Sequence, residues 1–108
     1  MSVQVKICGL TDRAAAEAAL RARAEFVGLV FFAASPRYLR PDQAKALGQI
    51  VTKRARVVGV FVNPSDDDVG RALDAAPLDI LQLHGRETPA RAQEIVAQFG
   101  KPVIKAIP

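Results

Sequence analysis

Five short, almost continuously apolar runs, each separated from the next by a helix-like stretch, constrain this chain more than any other feature. They are "VQVKI" (3–7), "FVGLVF" (26–31), "RVVGVFV" (56–62), "DILQLH" (79–84) and "PVIKAI" (102–107). Runs without polar alternation are expected of strands covered on both faces, which is the condition of parallel strands in βα units. Strand starts near 3, 26, 56, 79 and 102 repeat one such unit, lengthened once by a long loop after the second strand. The second and third strands echo each other, "VGLVFF" against "VGVFVN". The pattern predicts a tandem βα array with right-handed crossovers and a parallel sheet.

The intervening stretches carry helix starts and stops. Thr11 is placed to cap the first helix with Asp12 in its first turn, and Arg13, Glu17 and Arg21 form a charged stripe at four-residue spacing. Pro41 suits the first position of the second helix, whose inward face is expected to be Ala44, Leu47, Ile50 and Val51. In "NPSDDD", Asn63 reads as the cap, Pro64 as the opening residue, and the aspartates as acids at the positive end of the helix rather than a metal cluster. In "TPARAQEIVAQFG", Thr88 caps, Pro89 opens, Ile95, Val96 and Phe99 face inward, and Gly100 ends the helix.

An α/β array of this kind fits two architectures. One is a five-stranded doubly wound sheet of the flavodoxin type, an anion-binding module; the other is the first five strands and four helices of a (β/α)8 (TIM) barrel. With 108 residues and no linker, residues 1–108 form one domain, and a complete barrel needs roughly 200 or more.

Composition narrows the partners. Half the residues are hydrophobic and 24% charged, as in ordinary globular chains. The longest apolar run, "FVGLVFFAA" (26–34), is far short of a membrane span, and no signal-peptide pattern opens the sequence, so no membrane partner is expected. A single cysteine excludes an intrachain disulfide and points to the reducing cytoplasm. The net charge of +4 favours anionic partners. The basic residues are nonetheless dispersed and aromatics are few, which argues against nucleic acid and for a phosphorylated or carboxylated small molecule.

In either architecture, function gathers at the carboxyl ends of the strands. Those ends hold Cys8-Gly9, "FFAASPRY" (31–38), Asn63, His84-Gly85 and the residues near Ile107. Alternation places Lys6 with Cys8 on one face of the first strand and Gln82 with His84 on one face of the fourth; Lys105 sits within the fifth in the same manner, and such polar residues along parallel strands suggest a barrel lumen leading to a site. Cys8 is the sharpest candidate. A thiol acts as base or nucleophile only as thiolate, a form that a cation such as Lys6 and the amides opening the next helix favour; free cysteine is also a common small core residue. Arg37 offers a planar fork matched to a carboxylate, in a loop stiffened by Pro36, although an arginine in a loop is equally a common solvated surface residue. His84 has the proton chemistry of an acid–base group, but a histidine at a strand end is also a common structural donor and acceptor. No zinc, iron–sulfur, glycine-rich nucleotide or serine-triad pattern is present.

"VKICGLTD", "FVGLVFFAASPRY", "VVGVFVN", "LQLHG" and "PVIKAI" together resemble, in order and spacing, the successive strand motifs of the phosphoribosylanthranilate isomerase family of tryptophan biosynthesis. The resemblance implies a (β/α)8 barrel and a cofactor-free, metal-free Amadori rearrangement. An anthranilate-bearing ribose phosphate becomes 1-(2-carboxyphenylamino)-1-deoxyribulose 5-phosphate. By the same resemblance Cys8 is the general base and Arg37 holds the anthranilate carboxylate; Lys6 and His84 are supporting candidates from their strand positions and chemistry. The family's general acid is an aspartate on strand six, and its phosphate loops follow strands seven and eight. Neither is expected within residues 1–108, so this chain alone is expected to be inactive. It would pair with a complementary half-barrel or with itself, or serve as a structural half-barrel.

Overall fold

The computed structural model describes residues 3–107, and nine elements alternate strictly along them. They are β1 (Lys6–Cys8), α1 (Arg13–Arg21), β2 (Phe26–Val30), α2 (Pro41–Val51), β3 (Arg56–Phe61), α3 (Asp66–Ala75), β4 (Ile80–Leu83), α4 (Pro89–Phe99) and β5 (Val103–Lys105). The five strands form one parallel sheet in the order β1-β2-β3-β4-β5. A doubly wound sheet reverses its strand order at a switch point and carries helices on both faces. This sheet does neither, so the flavodoxin-type alternative is set aside.

The helices share one face. Ala16, Ala19 and Leu20 of α1, Ala44, Leu47 and Val51 of α2, Val69 and Ala72 of α3, and Ile95 of α4 join Val27, Leu29, Val57, Phe61, Leu81 and Leu83 in a single core. Phe31 and Phe61 stack within it, ring centroids 5.4 Å apart. Truncating a fully buried member such as Ile95 to alanine costs about 2–5 kcal/mol at sites of this kind. The opposite face holds a smaller cluster made only of strand and strand-end residues, Val30, Val58, Val60 and Ile80, flanked by Phe26 and Phe32.

The sheet is curled about that second face. Lys6 on β1 donates a hydrogen bond to Gln82 Oε1 on β4, although three flat strand spacings would separate those strands by about 14 Å. Gln82 is 7% exposed.

Several local expectations are corrected. Asp12, not Thr11, caps α1: its carboxylate accepts from the Ala15 amide at 2.7 Å. Ser65, not Asn63, caps α3, in a reciprocal pair with Asp68 (3.1 and 2.9 Å). Asn63 instead turns the chain at φ 45°. The aspartates at 66–68 do occupy the first turn of that helix, where its dipole favours them. Val96 is 43% exposed, because the inward stripe of α4 runs through Ala92, Ile95 and Phe99 at helical spacing. The edge strands are shorter than expected, β1 beginning at Lys6 and β5 confined to Val103–Lys105, since each has a ladder partner on one side only. The stripe on α1 includes an Arg13–Glu17 pair at 3.0 Å, Pro41 and Pro89 open α2 and α4, and Gly100 ends α4 at φ 68°.

Candidate active site

Ladder register assigns each strand residue to a face. Lys6 pairs with Phe26, Cys8 with Gly28, and Val60 with Gln82. Lys6, Cys8 and Gln82 therefore lie with Val58, Val60 and Ile80 on the face free of helices. Lys105 pairs with Leu83, a residue of the helix-side core, and so does not share that face as its place in the sequence had implied.

Cys8 ends β1 as an exposed free thiol. Its sulfur lies over Gly28, where a Cβ would stand 2.6 Å from Sγ. The chain then turns at Gly9, whose φ of 80° is one that L side chains rarely adopt, and whose amide donates to the Gly28 carbonyl at 3.0 Å. A Cβ at position 9 would also lie 2.5 Å from Arg37 Cδ and 2.9 Å from one guanidinium nitrogen, so the Arg37 side chain would have to shift. Arg37 thus lies against the turn that immediately follows Cys8.

The loop that delivers Arg37 is built, not slack. The Ser35 amide donates to Phe32 O at 3.0 Å, the Tyr38 amide to Ser35 O at 3.1 Å, and the Arg37 amide to Ser35 Oγ at 3.1 Å. The Leu39 amide then returns to Val30 O at 3.0 Å, and the Leu39 side chain is buried. The loop leaves the end of β2 and comes back to it, projecting Arg37 sideways over β1.

Lys6 and His84 stand further off. Lys6 directs its ammonium to Gln82 along the floor of the curled face. His84 follows β4, exposed, with its amide on Phe61 O at 2.8 Å, three strands away from Cys8. The structure therefore brings Cys8 and Arg37 together and leaves His84 at the opposite side of the same carboxyl end. Asp79, at the amino end of β4, accepts from the Val57 amide at 2.8 Å and is remote from this site.

Glu87 was not foreseen. Its carboxylate collects the amides of Asn63 and Gly85 and the ammonium of Lys105. Burial pushes its carboxyl up, but the bonds from Lys105, Asn63 and Gly85 outweigh burial and hold it below its ordinary 4.5. The acid after "LQLHG" is visible in sequence; its partners 24 and 18 residues away are not.

No helix among the described residues is long and apolar enough to cross a membrane.

Residues 5–108 match the family model described as N-(5'phosphoribosyl)anthranilate (PRA) isomerase. The N-(5'-phosphoribosyl)anthranilate isomerase of Paracoccus denitrificans is 50% identical over 107 residues, which are 99% of this chain and 50% of that protein. The crystal structure of phosphoribosyl anthranilate isomerase from Thermotoga maritima superposes with a TM-score of 0.90 at 33% identity, covering 98% of this chain and 51% of that one. A phosphoribosyl anthranilate isomerase in complex with reduced 1-(o-carboxyphenylamino)-1-deoxyribulose 5-phosphate gives the same TM-score of 0.90 and 33% identity, covering 98% and 54%. The chain spans about half the length of the curated relatives it matches.

Proposed function

Because this chain belongs to the N-(5'-phosphoribosyl)anthranilate isomerase family, we propose that it supplies the base and the carboxylate anchor of an isomerase of tryptophan biosynthesis. In this reading residues 1–108 are a single partial-barrel domain, the first five strands and four helices of a (β/α)8 barrel. The reaction converts phosphoribosylanthranilate to 1-(2-carboxyphenylamino)-1-deoxyribulose 5-phosphate. The observation that carries the reading is the packing of Arg37 on Gly9, which puts a guanidinium and the Cys8 thiol at one strand end.

The chemistry follows from those two groups. Arg37 binds the anthranilate carboxylate through paired hydrogen bonds and fixes the aromatic end of the substrate. A general acid protonates the ribose ring oxygen, the C1′–O bond breaks, and the nitrogen lone pair forms a C1′ iminium. Cys8, as thiolate, then takes the proton from C2′. The C2′–H electrons become the C1′=C2′ double bond, the iminium electrons return to nitrogen, and the enol relaxes to the C2′ ketone. Lys6 and Gln82 form a polar floor beneath this site, and His84 lies at its far rim. No cofactor enters the sequence of steps.

The acid and the loops that hold the substrate phosphate belong to later βα units of the family, so residues 1–108 alone do not complete the site. The partner that fits is a polypeptide carrying those units; self-association covers the same edges without supplying the acid. A free, exposed thiol at the centre of the site suits a reducing compartment such as the cytoplasm.

The test is an assay of the rearrangement by purified 1–108 alone, by a polypeptide carrying strands six to eight alone, and by the mixture. Turnover only in the mixture is expected. Turnover by 1–108 alone, or none in a mixture that demonstrably associates, overturns the reading.

A further inference from the structure

At the amino end of the sheet, single carboxylates hold single backbone amides: Glu25 takes the Val5 amide and Asp79 the Val57 amide. Glu87, at the opposite end, does much more. Its side chain is 2% exposed. Oε2 accepts from the Asn63 amide at 2.7 Å, and Oε1 from the Gly85 amide at 2.9 Å and from Lys105 Nζ at 3.0 Å. Those donors come from the chain after β3, the chain after β4, and β5 itself.

The three segments also interlock with one another. Lys105 donates to the Gly85 carbonyl as well, so the Glu87–Lys105 pair holds both polar groups of that peptide segment. Asn63 is kept at a positive φ of 45°, a costly conformation for a residue with a side chain, and its Oδ1 accepts from the Arg86 amide at 2.8 Å. A Cβ at position 85 would lie 2.7 Å from that same oxygen. A buried carboxylate persists only where it is paired and hydrogen-bonded, and here the pairing closes three strand ends around one group. His84 is the residue immediately before Gly85.

We propose that Glu87 is a positioning residue of this face: by holding Gly85, Asn63 and Lys105 together it fixes the turn that carries His84, and so sets where the imidazole stands at the rim of the candidate site. The catalytic consequence rests on the function proposed above. The geometry does not, and it is tested without substrate.

The chain has one histidine and one cysteine, so each reports unambiguously. Glu87→Gln keeps the shape and one oxygen acceptor but removes the charge paired with Lys105. In NMR spectra, the His84 ring signals and the Asn63 and Gly85 amide signals should shift, and those two amides should exchange with solvent at least tenfold faster. The rate of Cys8 alkylation should stay within twofold, because the Glu87 cluster makes no bond to β1 or β2. Unmoved His84, Asn63 and Gly85 signals would overturn the proposal, as would a change spread equally to Cys8. Should Glu87→Gln not fold, Lys105→Met approaches the cluster from the other side. It should move the His84 signals, and Lys105→Arg, which keeps a cation, should return them towards their original positions; a folded Lys105→Met with His84 unmoved would also overturn the proposal. Failure of the isomerase reading would show in the mixed assay and leave these signals as they are.

Discussion

The thiol of Cys8 occupies the space that any side chain at Gly28 would need. The two residues are ladder partners on adjacent parallel strands, and a Cβ on Gly28 would stand 2.6 Å from Sγ and 3.2 Å from the Cys8 Cα. The sulfur can rotate away from such a clash, but the backbone contact cannot be relieved without moving a strand. Glycine weakens a strand interior, and here it makes room for the Cys8 thiol.

Gly28→Ala should therefore destabilise the chain by about 1–3 kcal/mol, the range for overpacking a well-filled position. It should also change the rate of Cys8 alkylation, since the thiol must leave its present rotamer. Urea unfolding and thiol kinetics on the same sample test both parts. Unchanged stability with unchanged alkylation would mean that the two residues do not compete for this space.

On the function proposed above, Arg37→Ala acts on binding. A carboxylate anchor distant from the reacting carbons stabilises ground and transition states alike, so in the assembled enzyme its loss should chiefly raise KM and leave kcat near its original value. A collapse of kcat at constant KM would place the guanidinium at the reacting centre instead.

Glu87 sets a sign for the acid limb of stability. Its carboxyl is held below the ordinary 4.5 in the folded chain, so between the folded and ordinary values the unfolded chain binds more protons. Its contribution is fully present above pH 4.5 and is lost as pH falls through the folded value. Asp68, lowered first by the Ser65 amide, acts in the same direction below its ordinary 3.8. Denaturation midpoints measured across the acid range should thus show a shallower acid decline for Glu87→Gln than for the parent chain. Parallel curves would remove Glu87 from the account of acid stability.

On the partial-barrel reading, self-association is expected at the sheet edges. β1 and β5 each have one ladder partner, and Val5, Ile7 and Ile104 are exposed along them. Sedimentation of 1–108 should show concentration-dependent association, suppressed when a polypeptide with strands six to eight is added. A monomer over the whole range, with or without that addition, would contradict the partial-barrel reading.

The sequence read well where the physics is local. All five strands lie within the expected runs apart from β1, which extends one residue further to include Cys8, because near-continuous apolar stretches bounded by helix starts leave few alternatives. Caps were legible to within a residue or two: Asp12 beside Thr11 and Ser65 beside Asn63 are all capping types, and backbone geometry chooses among them. Cys8 and Arg37 stand out in the sequence because each lies in a strand-end motif, whereas their approach through Gly9 is a property of the folded loop. Lys105 was misplaced because one residue of register reverses the face of a strand residue. Glu87 was missed because its donors come from three separate segments, which only the folded sheet brings to one carboxylate.

On the function proposed above, the end of β1 presents a base. The most direct test of that role is the turnover of Cys8→Ala in the enzyme assembled from 1–108 and strands six to eight, compared with the unsubstituted assembly under the same conditions. Removal of a general base should lower kcat by roughly 10²–10⁴-fold, with KM little changed because Arg37 and the rest of the binding surface remain. A kcat within a few-fold of the unsubstituted enzyme would contradict the account and leave Cys8 as a packing residue over Gly28.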